Sequence, residues 1–411
     1  MQNSPRRTIE DPAESTARLL VRLGLALLFV VSQLAPIVAR QTIYILLPIG
    51  AVLLLLGAGL HPAVGARRPI RQLLTSPPLI AAVLLAAWTG VSLAWTPFVG
   101  PSERFGKISA TLALVAAAGA FLPERTRTSN LNLLPIGAGL AALALAALAL
   151  FVKRQYTLED ILDVGVPGRV GLGLALLVWP AMGALALRGR TPHAAILGVV
   201  TLAACLLVAA PNALPAFVAG AAVFALSFGR VAPAARSLAG LSAAIVLLAP
   251  VAAVLCYLVW RAHPPHFFSH LAVWGAMIAK DGVLRSLIGH GFGSATYGLL
   301  GGYLDPSIPR SLVFKTWFDL GAIGAFGLAA LAARACFAVS VARPALAPFL
   351  LGGVAATLAL CVTGPAAEQL WWLTLAGLDA LAFVLVMRGQ FRKRRPAAPI
   401  AAQTSDAANA P

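Results

Sequence analysis

Residues 261–326 read RAHPPHFFSHLAVWGAMIAKDGVLRSLIGHGFGSATYGLLGGYLDPSIPRSLVFKTWFDLGAIGAF, the longest hydrophilic interruption of an otherwise apolar chain. This stretch holds four of the six histidines and a glycine cluster between residues 289 and 302. Long apolar runs precede and follow it, as expected of helices that cross a membrane. A protein that only crossed the bilayer would not need such a polar stretch. We therefore interpret it as a site-bearing loop and the rest of the chain as its scaffold.

The composition supports a membrane scaffold. Of the 411 residues, 60% are hydrophobic and 11% are charged, and the mean hydropathy is +0.87. A soluble globular chain carries about 25% charged residues. The apolar runs are longer and more uniform than the ~10-residue alternating segments of transmembrane strands, so they indicate helices.

These runs predict an all-α, polytopic integral membrane protein with about twelve transmembrane helices. They lie near residues 19–39, 42–60, 79–96, 108–122, 133–152, 169–187, 193–210, 213–228, 238–260, 312–333, 345–363 and 367–387. The predicted organisation is a cytoplasmic N-terminal tail (1–17), transmembrane helices 1–9 (18–260), a large, partly helical periplasmic loop that carries the candidate site (261–311), transmembrane helices 10–12 (312–388) and a disordered cytoplasmic tail (389–411). Trp371 and Trp372 most simply belong to an aromatic belt at the membrane interface.

The positive charge is distributed unevenly over the predicted loops. The net charge is +17, and 20 of the 31 lysines and arginines fall on the side that carries both termini. Because cytoplasmic loops are enriched in lysine and arginine, this bias places both termini in the cytoplasm and the 261–311 loop outside. The excess is spread over short loops, which indicates membrane orientation rather than nucleic-acid binding.

Charged residues at the edge of the apolar runs are the first candidates for a site. Arg169 opens a helix at its outer end. It either faces the bundle interior, where an intramembrane charge is functional by default, or snorkels to the interface. Lys315 and Asp319 lie four residues apart and share one helix face. Burial would oblige them to pair, so they form either a functional pair or, more simply, a structural pair near the membrane surface.

Histidines and glycines of the loop are the second candidates. His263, His266 and His270 have a spacing that resembles a metal site, but prolines between the first two break the helix that would align them. We predict no metal and no cofactor. The motif GHGFG at residues 289–293 is a turn of the kind that lets backbone amides approach an anion. Alone it is a weak signal, since a plain loop is commoner, and no Walker signature follows it.

The assembled motifs resemble the O-antigen ligase and polysaccharide polymerase superfamily, especially its exopolysaccharide-polymerase-like branch. The resemblance is carried by VSLAWTPFVGPSERFGKISATLAL (91–114), GRVGLGLALLVWPAMGAL (168–185) and EQLWWLTLAGLDAL (368–381). Within the loop it is carried by HLAVWGAMIAKDG, LIGHGFGSA and PRSLVFKTWFDLGAIGAF. Each motif is loose, and their order and spacing make the set more specific than any one of them.

The resemblance implies a metal-independent, GT-C-like membrane glycosyltransferase in the bacterial inner membrane. Such an enzyme transfers or polymerises glycan from an undecaprenyl-diphosphate carrier at the periplasmic face, with a glycan or a lipid A-core as acceptor. The implied partners are these substrates, membrane lipids and other polysaccharide-assembly proteins. Two alternatives remain: a catalytically silent member of a polysaccharide-assembly complex, and a transporter or lipid-glycan flippase. The polar groups crowd one outer surface and the sequence indicates unbroken helices there, which disfavours the second alternative.

The resemblance also implies residue roles. Arg169 matches the arginine of the family's helix, whereas His270 stands where the family has arginine and Arg310 where it has histidine. The catalytic candidates are His270, His290 and Arg310. The candidates for binding the diphosphate or glycan are Arg169, Arg310, Trp274, Lys315 and Asp319, with Asp319 orienting Lys315 or Arg310. We expect Arg169, His270, His290 and Arg310 to surround one cavity at the outer membrane surface.

Overall fold

The structure is a computed structural model that describes residues 12–39, 42–60, 75–123, 126–151, 166–208, 212–260, 265, 268–364 and 370–390. Within these ranges every regular element is helical, apart from one isolated β-bridge between Thr126 and Gly389. The chain turns back repeatedly to form a bundle of antiparallel helices. We number the helices in chain order.

The first half of the chain contributes α1 (Pro12–Ala26), α2 (Ser32–Val38), α3 (Thr42–Leu60), α4 (Pro77–Ser92), α5 (Pro101–Phe121), α6 (Thr128–Leu131), α7 (Leu133–Phe151) and α8 (Val166–Ala186). The second half contributes α9 (Thr191–Val208), α10 (Ala213–Ser227), α11 (Val231–Val259), α12 (Ser269–Ile278), α13 (Val283–Ile288), α14 (Ser294–Leu300), α15 (Leu312–Ser340), α16 (Ala347–Thr363) and α17 (Leu370–Met387). A π-helical turn joins α1 to α2, so that the two form one span.

The helices reproduce the predicted apolar runs. Nine spans in the described part of the chain are long and apolar enough to cross a membrane. The remaining predicted runs form α10, α16 and α17, apolar helices of 15, 17 and 18 residues. The all-α, multi-pass fold class is therefore confirmed. The first helix begins at Pro12, inside the segment predicted as the N-terminal tail, and most of the predicted C-terminal tail lies outside the described residues.

Helix α8 is the central helix of the bundle. It packs against α7, α9, α16 and α17, and nearly all of its side chains from Val170 onward are buried. Trp179 lies between Gly220 and Gly352, where an added Cβ atom would come within 2.5 Å and 2.8 Å of the indole ring. Small residues let helix backbones approach closely in a membrane, where packing rather than water exclusion holds helices together.

Two tryptophans of α17 belong to this core. Trp371 and Trp372 are 2% and 7% exposed, so the prediction that they form an interfacial belt is wrong. Helix α17 packs against α3, α5 and α8, and this packing places both indoles in the central cluster. A uniformly apolar run has no periodicity that separates core-facing from lipid-facing positions, so the sequence could not show this.

The loops at the two ends of the bundle form separate groups. At one end, the residues around Thr126 meet both the start of α1, across a shared cavity, and Gly389 near the C-terminus, through the isolated bridge. At the other end, the 96–101 segment meets the long loop, described from residue 268 to 311; a Cβ atom on Gly291 would lie 2.6 Å from the backbone of that segment. We call these the terminal end and the loop end. The basic-residue pattern groups the loops in the same way, and the cytoplasmic location of the terminal end stays a prediction from that pattern.

Candidate functional site

Helix α15 is broken where it leaves the loop end. Gly321 has φ 65° and ψ −162°, which interrupts the helix one residue after Leu320. This backbone region is essentially restricted to glycine. The interpretation of the helices around the loop as unbroken is therefore wrong at this residue. The break divides α15 into a short half-helix at the loop end and a long half-helix that crosses the bundle.

The GHGFG motif caps the broken helix. A break strands the carbonyl groups of the preceding turn, and a stranded carbonyl away from water costs several kcal/mol. Here the carbonyl oxygens of residues 318, 319 and 320 accept hydrogen bonds from the amides of His290 and Gly291 and from the indole Nε1 of Trp88, at 2.8, 2.9 and 3.0 Å respectively. The loop and the break are thus one structural unit.

The glycines of the motif are required by this close approach. Gly289, Gly291 and Gly293 have φ values of 76°, 95° and 85°, which L side chains rarely adopt. A Cβ atom on Gly289 would lie 2.4 Å from the carbonyl carbon of Asp319, and one on Gly293 would lie 2.8 Å from Pro101. The motif therefore threads between the broken helix and the start of α5, with no room for larger residues.

The backbone amides of the motif all donate to protein groups. The amide of Gly289 closes the last turn of α13, at 2.8 Å. The amide of Phe292 donates to Ser92 Oγ at 3.2 Å, and that of Gly293 donates to the Asp319 carboxylate at 3.0 Å. The two other amides of the motif cap α15. The interpretation of this turn as an amide cradle for an anion is therefore wrong, because its donors are already used inside the fold.

Asp319 and Lys315 are buried and hold the start of α14. Asp319 is 5% exposed, and its two carboxylate oxygens accept from the amides of Gly293 and Ala295, at 3.0 and 2.7 Å. Lys315 is 7% exposed and donates to Thr296 Oγ1 at 2.8 Å. Both side chains reach the start of α14 from one face of α15. These hydrogen bonds are made to other residues of the fold, so their role is structural. That Asp319 orients Arg310 stays a prediction.

Arg104 is a member of this cluster that the sequence did not single out. It lies in the first turns of α5, and its positive charge, like that of Lys315, acts on the Asp319 carboxylate. The neighbouring Phe105 contacts Phe292 edge-on, with ring centroids 6.2 Å apart. Arg104 lies in the 91–114 segment that carries the family resemblance, and this position could have identified it. In the sequence it contributed only to the count of basic residues in the loops.

His290 is held by Phe318 of α15. Its ring stacks on Phe318 with centroids 4.2 Å apart, and its Nδ1 lies 3.1 Å from the Phe318 carbonyl oxygen. Because a carbonyl oxygen only accepts, Nδ1 is the donor in this contact. Nε2 lies 3.5 Å from Asp281 Oδ1, and these side chains are 26% and 29% exposed. In the neutral ring with this tautomer, Nε2 is an acceptor that faces a partly exposed surface beside a carboxylate.

The other loop candidates lie around this centre in different environments. His270 is exposed, with Nδ1 2.5 Å from the Ser307 carbonyl oxygen. Trp274 is 4% exposed and packs edge-on against Phe314, with centroids 5.4 Å apart, in an apolar cluster beneath the loop. Arg310 is partly exposed just before α15. The structure therefore gives Trp274 a packing role and leaves His270 and Arg310 near the surface.

Arg169 belongs to a different group of helices. It is partly exposed in the first turn of α8, which packs against α7, α9 and α17. The helices of the loop pack instead against α11 and α15. The gathering of Arg169 with the loop candidates around one cavity therefore stays a prediction. His263 and His266 lie outside the described residues, within which no three His, Cys, Asp or Glu side chains form a metal-binding group.

Comparison with known proteins adds no assignment. No family model matches the chain, and no curated protein sequence matches it.

Proposed function

We propose that this protein is a membrane glycosyltransferase of the O-antigen ligase or polysaccharide polymerase type. It would transfer or polymerise glycan from an undecaprenyl-diphosphate carrier at the periplasmic face of the bacterial inner membrane, with both chain termini in the cytoplasm. The observation that carries the proposal is the geometry of His290, a partly exposed imidazole at the loop end with Nε2 beside the Asp281 carboxylate. Glycan transfer needs such a group near the acceptor hydroxyl.

In the proposed reaction, the acceptor hydroxyl loses its proton to His290 Nε2 as its oxygen attacks the anomeric carbon of the donor sugar. A new glycosidic bond forms, the bond from that carbon to the diphosphate oxygen breaks, and the lipid diphosphate leaves with the electron pair. Asp281 stabilises the imidazolium through the opposite charge.

Cations of the loop are suited to hold the diphosphate. Lys280 and Arg285 are exposed on either side of Asp281, and Arg310 is partly exposed before α15. Charge-assisted hydrogen bonds to phosphate oxygens are about twice as strong as neutral ones. A negatively charged leaving group at the membrane surface would therefore find several partners without a metal ion, as the resemblance implies.

Substitution of His290 tests the proposal directly. His290→Gln retains a side-chain donor for the Phe318 carbonyl but removes the base, so we expect transfer from a lipid-diphosphate-linked glycan to fall by about 10²-fold or more. The matched control is His193→Gln, an exposed histidine at the start of α9 at the terminal end. Product formation with purified protein is measured by mass spectrometry. Full activity of a folded His290→Gln variant would reject the assignment.

The diphosphate contacts are tested separately. Arg169→Ala and Arg310→Ala should each abolish transfer if both residues hold the carrier, whereas loss in Arg310→Ala alone would confine the site to the loop. Wild-type activity of both variants would remove arginine from the proposed site.

The second candidate is a transporter or lipid-glycan flippase, and the break in α15 is the observation in its favour. Transporters commonly use discontinuous helices whose freed backbone groups bind substrate or ions. At Gly321, however, three carbonyls of the broken turn are already paired with His290, Gly291 and Trp88. The break therefore binds the loop, and these three carbonyl oxygens are not left for a substrate or ion. Movement of labelled lipid-linked glycan across proteoliposomes without new glycosidic bonds would support the transporter instead.

A further inference from the structure

A polar cavity lies at the terminal end, on the far side of the bundle from the loop. It has a volume of about 360 Å³ and lies between α1 and residues 123 and 126–130. This volume is within the ~300–1,000 Å³ typical of small-molecule sites. Its wall contains hydrogen-bond donors from both sides: Arg18, Arg22, Thr126, Arg127, Ser129 and Asn130.

The described part of this wall carries a net positive charge. Among its described residues, three arginines line the cavity together with one carboxylate, that of Glu14. Arg18 is in an ion pair with Glu14 one helical turn away. Arg22 and Arg127 are exposed at opposite sides of the cavity and add positive charge that Glu14 does not balance. An anion in the cavity would meet guanidinium groups from two separate chain segments.

Thr126 gives a second, independent sign of a ligand. Its backbone is fixed by the C-terminal segment: its amide donates to the Arg388 carbonyl at 3.0 Å, and its carbonyl accepts from Gln390 at 3.1 Å. The side chain is 1% exposed, and Oγ1 has no hydrogen-bond partner among the described residues. A buried hydroxyl without a partner is costly, so a native structure normally supplies one. Thr126 lines the cavity, and rotation of its side chain would let this hydroxyl donate to an anionic oxygen there.

The apolar edge of the cavity identifies the source of the anion. Leu19 lines the cavity and is 56% exposed, and Leu23 continues the same face of α1 one turn further into the bundle and is 47% exposed. A soluble anion would gain nothing from these side chains, whereas a lipid could lay an acyl chain along them while its headgroup enters the cavity. Basic pockets between transmembrane helices bind phosphate-bearing headgroups in this way.

We propose that the cavity between α1 and residues 123 and 126–130 binds the phosphate headgroup of an anionic phospholipid from the membrane leaflet at the terminal end. The arginines bind the phosphate oxygens, Thr126 donates through its hydroxyl, and the leucine face of α1 contacts an acyl chain. The site would fix the first transmembrane helix against the segment between α5 and α7. It is independent of the function proposed for the loop.

The test measures lipid affinity of the purified full-length protein by native mass spectrometry in neutral detergent. The probes are phosphatidylglycerol, phosphatidylcholine with the same acyl chains, and sodium phosphate. We expect saturable binding of phosphatidylglycerol alone. The double variant Arg22→Gln/Arg127→Gln should weaken it by roughly 30-fold, from about a five- to sixfold factor per arginine near an anionic surface.

The matched control is Arg230→Gln/Arg236→Gln, which removes the same charge from exposed arginines outside the cavity. It should retain wild-type affinity; an equal loss in this control would mean diffuse surface attraction and overturn the proposal. Thr126→Val keeps the shape of the side chain and serves as a second test if the double variant folds poorly. It should weaken binding several-fold. Unchanged affinity would show that the hydroxyl does not contact the lipid. Binding of sodium phosphate as tight as that of the lipid would assign the cavity to a soluble anion and reject a lipid.

Discussion

Replacement of Gly289 by alanine should strongly destabilise the loop end. The residue has φ 76° and ψ −175°, a conformation that costs an L residue about 1–3 kcal/mol. The new Cβ atom would also lie 2.4 Å from both the carbonyl carbon and oxygen of Asp319. These are backbone atoms that cannot swing away, so overpacking adds about 1–3 kcal/mol. The expected loss of unfolding free energy is therefore about 2–6 kcal/mol, unless the motif lifts off the broken helix.

Two other glycines of the loop separate these contributions. Gly302 has φ 73° but open space around its Cβ position, so Gly302→Ala should cost only the backbone strain, about 1–3 kcal/mol. Gly282 has φ −75° and open space, so Gly282→Ala should be almost neutral. Equilibrium unfolding of the detergent-purified variants measures the three values. Equal destabilisation by Gly289→Ala and Gly302→Ala would show that the contact with Asp319 is not tight and refute the reasoning.

Three further changes probe the same region. Asp319→Asn keeps the size of the side chain but turns an NH₂ group toward a backbone donor, so it should cost about 1.5–3 kcal/mol in unfolding free energy and speed hydrogen exchange across α14. Trp88→Phe removes the donor to the Leu320 carbonyl and should cost about 1–3 kcal/mol by thermal or chemical unfolding. Asp305 accepts hydrogen bonds from the amide and hydroxyl of Ser307, which hold the pKa of the carboxyl below its usual value. Because the pKa of this carboxyl is lower in the folded state, its stabilisation is present above the unfolded-state pKa and is lost as the pH falls through the folded-state pKa. Amide hydrogen exchange at residues 301–310 should therefore become faster below about pH 4, and Asp305→Asn should lack this acid dependence.

The sequence predicted the helices because a membrane helix is defined by a local property, the length of an apolar run. It predicted that Lys315 and Asp319 share a helix face for the same reason, since a spacing of four residues suffices. The break at Gly321 is different, because glycine is common inside membrane helices and does not by itself end one. The break is stabilised by hydrogen bonds from His290 and Gly291, about thirty positions earlier, and from Trp88 on another helix. Such non-local pairing leaves no periodic signal.

The same non-local pairing explains how a loop could hold the proposed catalytic base. A base must be held within a small distance of its target, and loops usually lack that rigidity. His290 obtains it from α15, because its amide and Nδ1 both bond to the Phe318 carbonyl and its ring stacks on the Phe318 side chain. Substitutions of Asp319 or Gly289 should therefore lower transfer and stability together, since both residues hold the support. Substitution of Asp281, which touches only the exposed edge of the imidazole, should lower transfer alone.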